Sequence, residues 1–318
     1  MKLRVNSLFA LLTVLLTIDC FAQDPRFEYD PTYSIKKFTQ TSRHTCLPGE
    51  RPTRNNKCKY YRKFEAELLT INPLDESDYV VPFHLYKTNA RGSNPLIMIV
   101  PPLGGMTRVD KDLAIFFANK GINSIIAINP ENIADVNRPV EDIDGFLIRT
   151  TVAMRLLMDF AEDQKYIDTT QIGAFGASLG GIRLLTLIGV DDRVDASVVY
   201  VGSGNVPEVL ANSQQTVIKN YREYKMKELN ITTDQEYLDL LQANVTVDPL
   251  NNINYFDPDN VFLKISNKDT SVPTVNQWET QKAINTPHYK TTHHGHVRAV
   301  IDAMFFKTDM YNFITKRW

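Results

Sequence analysis

Short apolar runs alternate along the chain with longer stretches whose apolar residues recur every three or four positions. The apolar runs predict strands at residues 79–86, 95–100, 122–128, 172–175, 196–201, 261–266 and 289–292. The periodic stretches predict helices at residues 109–120, 142–163, 179–188, 272–284 and 297–316. Strands that alternate with helices predict an α/β fold whose mostly parallel sheet is covered by helices on both faces.

A longer helical insertion interrupts this alternation at residues 205–256, before the strand at 261–266. Thr233 and Glu236 have the spacing of a capping box, which predicts the start of one of its helices. Two interpretations stay open, because such helices either cover the sheet or form a lid over a binding site.

The N-terminal residues have the pattern of a secretory signal peptide at residues 1–22. Basic residues precede an apolar run at 8–18, and cleavage after Ala22 is expected. The run is too short to cross a bilayer. We therefore expect a secreted or periplasmic protein with no transmembrane segment after signal cleavage. A lipoprotein would use Cys20, but Asp19 before it disfavours that alternative.

Residues 23–75 are predicted to form an N-terminal extension, followed by one domain at 76–318. The extension contains Cys46 and Cys58, which we expect to form a disulfide bond in an oxidising compartment. Two free thiols are the alternative, and a metal site lacks ligands because His44 is the only nearby histidine. The basic part of this segment predicts a solvated surface, with attachment to the cell envelope as a second possibility.

The overall composition is that of an ordinary globular protein. The 318 residues are 43% hydrophobic and 23% charged, with a formal net charge of −2. Such a balance gives no field that would attract nucleic acid. The sequence contains no H-E-x-x-H zinc motif and no phosphate-binding loop, so we expect no metal or organic cofactor.

The stretch Gly176-Ala177-Ser178-Leu179-Gly180 matches the G-x-S-x-G pattern of a nucleophile elbow. A strand is predicted before it and a helix after it, as this turn requires. Side chains at Gly176 or Gly180 would collide with nearby backbone, and the helix N-terminus would stabilise an anion formed at Ser178. The alternative is a glycine-rich strand–helix connection without chemistry.

A catalytic serine needs a base later in the chain, and three histidines follow the last predicted strand. His296 comes after a glycine at the start of the last helix, and it is the predicted base. His294 is the competitor. Because His293 and His294 are adjacent at the end of a strand, their side chains point to opposite faces, and at most one of them could face Ser178. Surface or metal-binding histidines are the alternative.

The predicted acid is Asp269, in a turn-rich loop just after the strand at 261–266. Functional groups of α/β sheets lie at the carboxyl ends of strands. Asp248 and Asp257 are possible, but both precede this strand. A helix-capping role is the alternative for Asp269.

The oxyanion hole needs two backbone N–H groups. We expect the first from Leu179, directly after the nucleophile, and the second from the loop after the strand at 95–100. Leu103 is the first possible donor there because the two prolines before it have no N–H, and Gly104 is the next. The glycines alternatively serve only a tight turn.

Four blocks together resemble the α/β-hydrolase superfamily, in particular its dienelactone-hydrolase, acetyl-esterase and prolyl-oligopeptidase-like branches. The blocks are PPLGG at 101–105, IGAFGASLGG at 172–181, NKDTSVPTVNQ at 267–277 and HHGHVRAV at 293–300. Many members have His-Gly where this chain has two prolines, and dienelactone hydrolases have a cysteine nucleophile instead of a serine.

The resemblance implies the α/β-hydrolase fold and a serine hydrolase that cleaves small-molecule carboxylic esters. Ser178, Asp269 and His296 would form its triad, with an acyl-enzyme intermediate. A peptidase or amidase with the same triad is one alternative. A binding protein without catalysis is another, since a fold does not determine function.

Overall fold

The computed structural model describes residues 24–43, 61–255 and 257–318. The expected signal peptide and the pair Cys46 and Cys58 lie outside the described residues. No helix in the described part of the chain has the length and apolar character that a membrane span needs.

Nine strands of the described residues form a single sheet with the order β1-β2-β3-β5-β4-β6-β7-β8-β9. The six strands from β5 to β9 in this order pair in parallel, and β1, β2 and β3 pair antiparallel at one side. The strands are β1 (Ser34–Arg43), β2 (Tyr61–Ile71), β3 (Asp78–Thr88), β4 (Asn94–Val100), β5 (Asn123–Ala127), β6 (Ile167–Ala177), β7 (Ala196–Tyr200), β8 (Val261–Ser266) and β9 (Tyr289–Thr292).

Helices connect the parallel strands and form the insertion. They are α1 (Arg108–Asn119), α2 (Ile143–Glu162), α3 (Leu179–Ile188), α4 (Val206–Asn212), α5 (Thr216–Glu228), α6 (Asp234–Asn244), α7 (Thr274–Ile284), α8 (His296–Ile301) and α9 (Lys307–Thr315). The predicted capping box starts α6, with Thr233 and Glu236 bonded reciprocally. The helix predicted at 297–316 is divided into α8 and α9, with a short 3₁₀ turn after α8.

Two hydrophobic clusters, one on each face of the sheet, form the core. Alternate side chains of β4 enter opposite clusters, with Met98 in one and Ile99 in the other. Helices α2 and α3 cover the first cluster, whereas α1 and α9 cover the second. Each fully buried Leu, Ile or Phe contributes about 1.5–3 kcal/mol. The expected α/β fold with helices on both faces is confirmed.

The structure adds two strands that the hydrophobic pattern does not predict. β1 and β2 come from the segment at 23–75 that the sequence analysis describes as an extension, and they continue the sheet beyond β3. The exposed fractions of Ile35 and Phe38 are 54% and 40%, because β1 is the edge strand. The described part of this segment therefore belongs to the same sheet as the rest of the chain.

The parallel strands bring the predicted site residues to one edge of the sheet. Val100, the last residue of β4, is in register with Gly176 near the end of β6. The loop after β4 and the turn after β6 are therefore neighbours. The loops after β8 and β9 end at the same edge, which is where open α/β sheets bind ligands.

Candidate active site

Ser178 lies at a sharp turn between β6 and α3. Its φ angle is +56° and its ψ angle is −126°, a conformation that is strained for a residue with a side chain. The turn is held by hydrogen bonds from Ser178 N to Tyr200 O (2.9 Å) and from Gly181 N to Ser178 O (2.8 Å). Such strain costs about 1–3 kcal/mol and persists because the surrounding structure enforces it.

The glycines on either side of the serine allow a close backbone approach. A Cβ atom on Gly176 would collide with the carbonyl oxygen of Gly180, and one on Gly180 would collide with the carbonyl of Val100. The space between β4, β6 and α3 therefore has no room for a side chain at either position. This contact between α3 and the end of β4 is the steric reason for the G-x-S-x-G spacing.

The structure brings Ser178, His296 and Asp269 into a hydrogen-bonded row. His296 Nε2 lies 2.9 Å from Ser178 Oγ, and His296 Nδ1 lies 2.7 Å from Asp269 Oδ2. The exposed fraction of the side chain is 11% for His296 and 0% for Asp269. With the Nδ1 proton donated to the carboxylate, Nε2 presents its lone pair to the serine hydroxyl.

Asp269 is held in place by further donors. Its Oδ1 accepts hydrogen bonds from the backbone N–H groups of Ser271 (2.8 Å) and Val272 (3.0 Å). Its Oδ2 accepts a bond from Gln277 Nε2 (2.9 Å) in addition to the one from His296. The carboxylate is thus fully paired in a buried place, and its orientation toward the histidine is fixed.

Gln277 is a part of the site that the sequence analysis does not identify. The side chain is buried, and its Oε1 accepts a bond from Ser266 N (2.9 Å) while its Nε2 donates to Asp269 and to Val272 O (2.8 Å). It therefore joins the end of β8 to the carboxylate. The residue type and its position in a helix do not indicate such a role. The only sequence signal is a weak one, the place of Gln277 in the block that contains Asp269.

The competing residues are placed elsewhere. His294 Nδ1 lies 2.9 Å from Asp302 Oδ2, and the exposed fraction of its side chain is 49%. Asp248 accepts hydrogen bonds from the backbone N–H groups of Asn205 and Val206 at the start of α4. Asp257 accepts a bond from Asp259 N (2.9 Å). None of these groups contacts Ser178, and no cluster of metal-binding side chains occurs in the described part of the chain.

Solved structures with the same arrangement of strands and helices include several esterases. Acetyl xylan esterase 1 from Thermoanaerobacterium sp. JW/SL YS485 has a TM-score of 0.60 at 13% identity, with 89% of each chain covered. An acetyl xylan esterase from Paenibacillus sp. R4 has a TM-score of 0.59 at 12% identity, with 84% of this chain and 87% of that one covered. The α/β hydrolase GrgF from Penicillium sp. sh18 has a TM-score of 0.56 at 16% identity, with 80% of this chain and 98% of that one covered.

The chain has the α/β-hydrolase fold. The resemblance seen in the four sequence blocks is confirmed at this level. No family model and no curated protein matches the chain.

In this hydrolase fold, the two expected oxyanion donors lie on either side of Ser178. Leu179 is the first residue of α3, and Leu103 lies in the loop after β4. Neither N–H group donates to another residue in the described ranges, whereas Gly105 N donates to Pro102 O (3.2 Å) and closes the loop. Both N–H groups are therefore available to a ligand, and their role as donors stays a prediction.

Two cavities of different size meet at Ser178. One of about 500 Å³ is bordered by Ser178 and His296 and by apolar side chains of α1 and α8. The other measures about 30 Å³ and lies between Ser178 and the insertion helices α4 and α5. The insertion helices thus form one wall of the candidate site. This position supports the interpretation of the insertion as a cover of the binding site.

Proposed function

We propose that this chain is a serine hydrolase that cleaves small-molecule carboxylic esters. The observation that carries the proposal is the row of hydrogen bonds from Ser178 Oγ to His296 Nε2 (2.9 Å) and from His296 Nδ1 to Asp269 (2.7 Å). The elbow conformation of the serine supports it, as does the fold shared with several esterases.

In the proposed reaction, Ser178 Oγ attacks the ester carbonyl carbon while His296 Nε2 takes the hydroxyl proton. The carbonyl electron pair moves to the oxygen, which accepts hydrogen bonds from the N–H groups of Leu179 and Leu103. Collapse of this intermediate breaks the carbon–oxygen bond to the alcohol, and His296 gives its proton to the leaving oxygen. Asp269 keeps the imidazole in the required tautomer and stabilises its charged form.

The acyl-enzyme is then hydrolysed by the same groups in a second cycle. His296 removes a proton from water, the resulting oxygen attacks the acyl carbon, and Ser178 leaves as the hydroxyl. None of these steps consumes an external reactant other than water. The negative charge that forms on the carbonyl oxygen lies at the N-terminus of α3, whose free N–H groups stabilise it.

The cavity sizes favour a short acyl group. The cavity of about 30 Å³ beside Ser178 has room for about two water molecules, or an acyl chain of one or two carbons. Its walls are mostly apolar side chains, including Leu179 and Val206. The larger cavity of about 500 Å³ on the His296 side would hold the alcohol part of the substrate.

A panel of p-nitrophenyl esters and p-nitroanilides of increasing acyl length tests the proposal. We expect hydrolysis of acetate and propionate esters, slower hydrolysis of octanoate, and weak or no cleavage of anilides. A fluorophosphonate probe should label Ser178 and should not label the Ser178→Ala variant. Faster cleavage of anilides would instead indicate an amidase or peptidase, and no turnover with no labelling would indicate a binding protein.

We also propose that the chain is exported, to the periplasm or the medium, and that the mature protein begins at Gln23. The support is the signal-peptide pattern and the two cysteines that remain after its removal, Cys46 and Cys58. The intact mass of exported protein, with alkylation before and after reduction, tests both points. Two free thiols in the exported protein would contradict the disulfide.

A further inference from the structure

Arg183 is an unpaired charge inside the molecule. It lies on α3, five residues after Ser178, and its exposed fraction is 2%. None of its N–H groups donates to a residue within 24–43, 61–255 and 257–318, and Nε is fully enclosed. Burying a guanidinium without partners is expensive, so such a group indicates a ligand of opposite charge.

The carboxylate that acts on this arginine, Glu131, is already held by other residues. Glu131 accepts hydrogen bonds from Arg149 (2.8 and 2.9 Å) and from Arg138 (2.8 Å). Asp142 is paired with the same two arginines. Two carboxylates and two guanidinium groups thus balance each other, and the charge of Arg183 is left over.

The pKa values agree with this distribution of charge. Burial alone would raise the pKa of Glu131, but the hydrogen bonds from Arg149 and Arg138 outweigh it and the pKa is lowered. Burial lowers the pKa of Arg183 to about 10, with Tyr79 and Glu131 opposing the shift. Both groups therefore remain charged at neutral pH.

A cavity of about 340 Å³ adjoins Arg183 and offers further hydrogen-bond donors. Asn129 and Asn132 border it, and their carboxamide oxygens already accept bonds from Glu131 N (3.1 Å) and Ala134 N (3.0 Å). Their NH₂ groups donate to no residue in the described ranges, and Glu131, which also borders the cavity, is held by its two arginines. A planar guanidinium with amide donors nearby suits a carboxylate, which it can bind with two parallel hydrogen bonds.

This cavity lies beside the candidate active site. Pro102, Leu103 and Gln215 border both it and the cavity of about 500 Å³ that contains Ser178 and His296. Five residues of helix separate Ser178 from Arg183, which is roughly 7.5 Å along the axis. Arg183 also shares the border of its cavity with Leu179, the residue directly after the serine.

We propose that Arg183 binds a carboxylate on the alcohol part of the substrate, so that the preferred esters are acetyl or similar short acyl esters of hydroxy acids. The alcohol part is assigned because the cavity on the acyl side is too small for a charged group with its solvation. This proposal rests on the proposed ester hydrolysis and adds the chemical class of the substrate.

A matched pair of substrates tests it: 4-acetoxybenzoate and its methyl ester, which differ only in the charge of one group. The wild type should have a higher kcat/KM for the acid than for the methyl ester. In Arg183→Met the ratio of the two kcat/KM values should fall about 10–100-fold, through the loss of a charge-assisted bidentate bond. Arg183→Lys should recover part of the ratio, since it keeps the charge without the planar fork.

Arg193→Met is the matched control, because Arg193 is also an arginine after Ser178 but is paired with Asp159, Glu162 and Asp191 outside the cavity. Its substrate ratio should equal that of the wild type. An unchanged ratio in Arg183→Met, or no preference for the acid in the wild type, would overturn the proposal.

A binding measurement covers the case in which Arg183→Met does not fold. Titration of the Ser178→Ala variant with 4-acetoxybenzoate should show binding about 10–100-fold tighter than with the methyl ester. Equal affinities would again overturn the proposal. Absent hydrolysis of both esters by the wild type would contradict the proposed function instead, and the titration would still decide whether the anion site exists.

Discussion

Two histidines follow β9, two residues apart in the sequence, and each lies beside an aspartate. His296 Nδ1 lies 2.7 Å from Asp269, and His294 Nδ1 lies 2.9 Å from Asp302. The first hydrogen bond is therefore nearly the same in both pairs. The surroundings differ: the exposed fraction of the side chain is 11% for His296 and 49% for His294.

The second ring nitrogen separates the two pairs further. His296 Nε2 lies 2.9 Å from Ser178 Oγ, whereas His294 Nε2 has no partner in the described part of the chain. Asp269 is also held by Gln277 and two backbone N–H groups, while Asp302 has Arg298 nearby at 3.4 Å. A carboxylate beside a histidine is thus not a catalytic unit by itself. A nucleophile at the second ring nitrogen is needed as well, because the imidazole can act as a base only on a group within its reach.

The strongest test of this contrast is removal of each imidazole. His296→Ala should lower kcat on p-nitrophenyl acetate by about 10³- to 10⁶-fold, because the serine loses its base. The double variant Ser178→Ala/His296→Ala should be hardly worse than either single variant, since the two residues act as a unit. His294→Ala should stay within about threefold of the wild type. An inactive His294→Ala together with an active His296→Ala would show that the roles are reversed.

The carboxylates give the next largest contrast. Asp269→Asn should lower kcat by about 10⁴-fold, because an amide no longer stabilises the charged imidazole and favours the wrong tautomer. Asp302→Asn should keep kcat within a few-fold. Steady-state kinetics of both variants decide the point, with circular dichroism to confirm folding. Similar losses in the two variants would remove the distinction between the pairs.

Gln277 tests whether the support of the carboxylate matters. Gln277→Met removes the bond to Asp269 while keeping the length of the side chain, and we expect kcat to fall about 10-fold with KM little changed. Thr280→Val is the matched control on the same helix, since buried Thr280 accepts a bond from Gly204 N (2.8 Å) and does not contact Asp269. It should lower stability and leave kcat unchanged. Equal loss of kcat in both variants would reduce Gln277 to a structural residue.

A third histidine, His84, extends the comparison to one that is half-buried and has no hydrogen-bonded carboxylate. Burial and the nearby Lys63 lower the pKa of His84 to about 4, although Glu65 at 3.8 Å opposes the shift. Between pH 6.5 and 4 the unfolded chain binds a proton at His84 and the folded protein does not. The free energy of unfolding should therefore decrease as pH falls, by at most about 1.4 kcal/mol per pH unit.

Urea unfolding at pH 7 and pH 5 measures this effect. His84→Gln should reduce the difference in unfolding free energy between the two pH values, because its side chain binds no proton in either state. His293→Gln, at an exposed histidine, is the matched control and should keep the difference of the wild type. An unchanged difference in His84→Gln would contradict the assignment.

Local sequence was sufficient for the elements that place the site. The apolar run at 95–100 and the turn at Ser178 predict their elements correctly, because burial on both faces and the glycine spacing leave a direct signal in the sequence. The strands β1 and β2 at the edge of the sheet leave a weaker signal in the sequence. β1 has register shifts after Ile35 and Gln40, so its apolar residues do not alternate. β2 pairs with β1 through residues that are far apart in the sequence.

The relations between distant residues were decided by the tertiary structure alone. The sequence singled out His296 by its position after a glycine, but the 2.9 Å approach to Ser178 spans 118 residues of chain. Gln277 and Arg183 gain their significance from what surrounds them, a carboxylate for one and a cavity for the other. The sequence determines residue types and local periodicity, whereas hydrogen-bond partners, burial and unbalanced charge exist only after the strands are ordered in the sheet, since each depends on contacts between segments far apart in the chain.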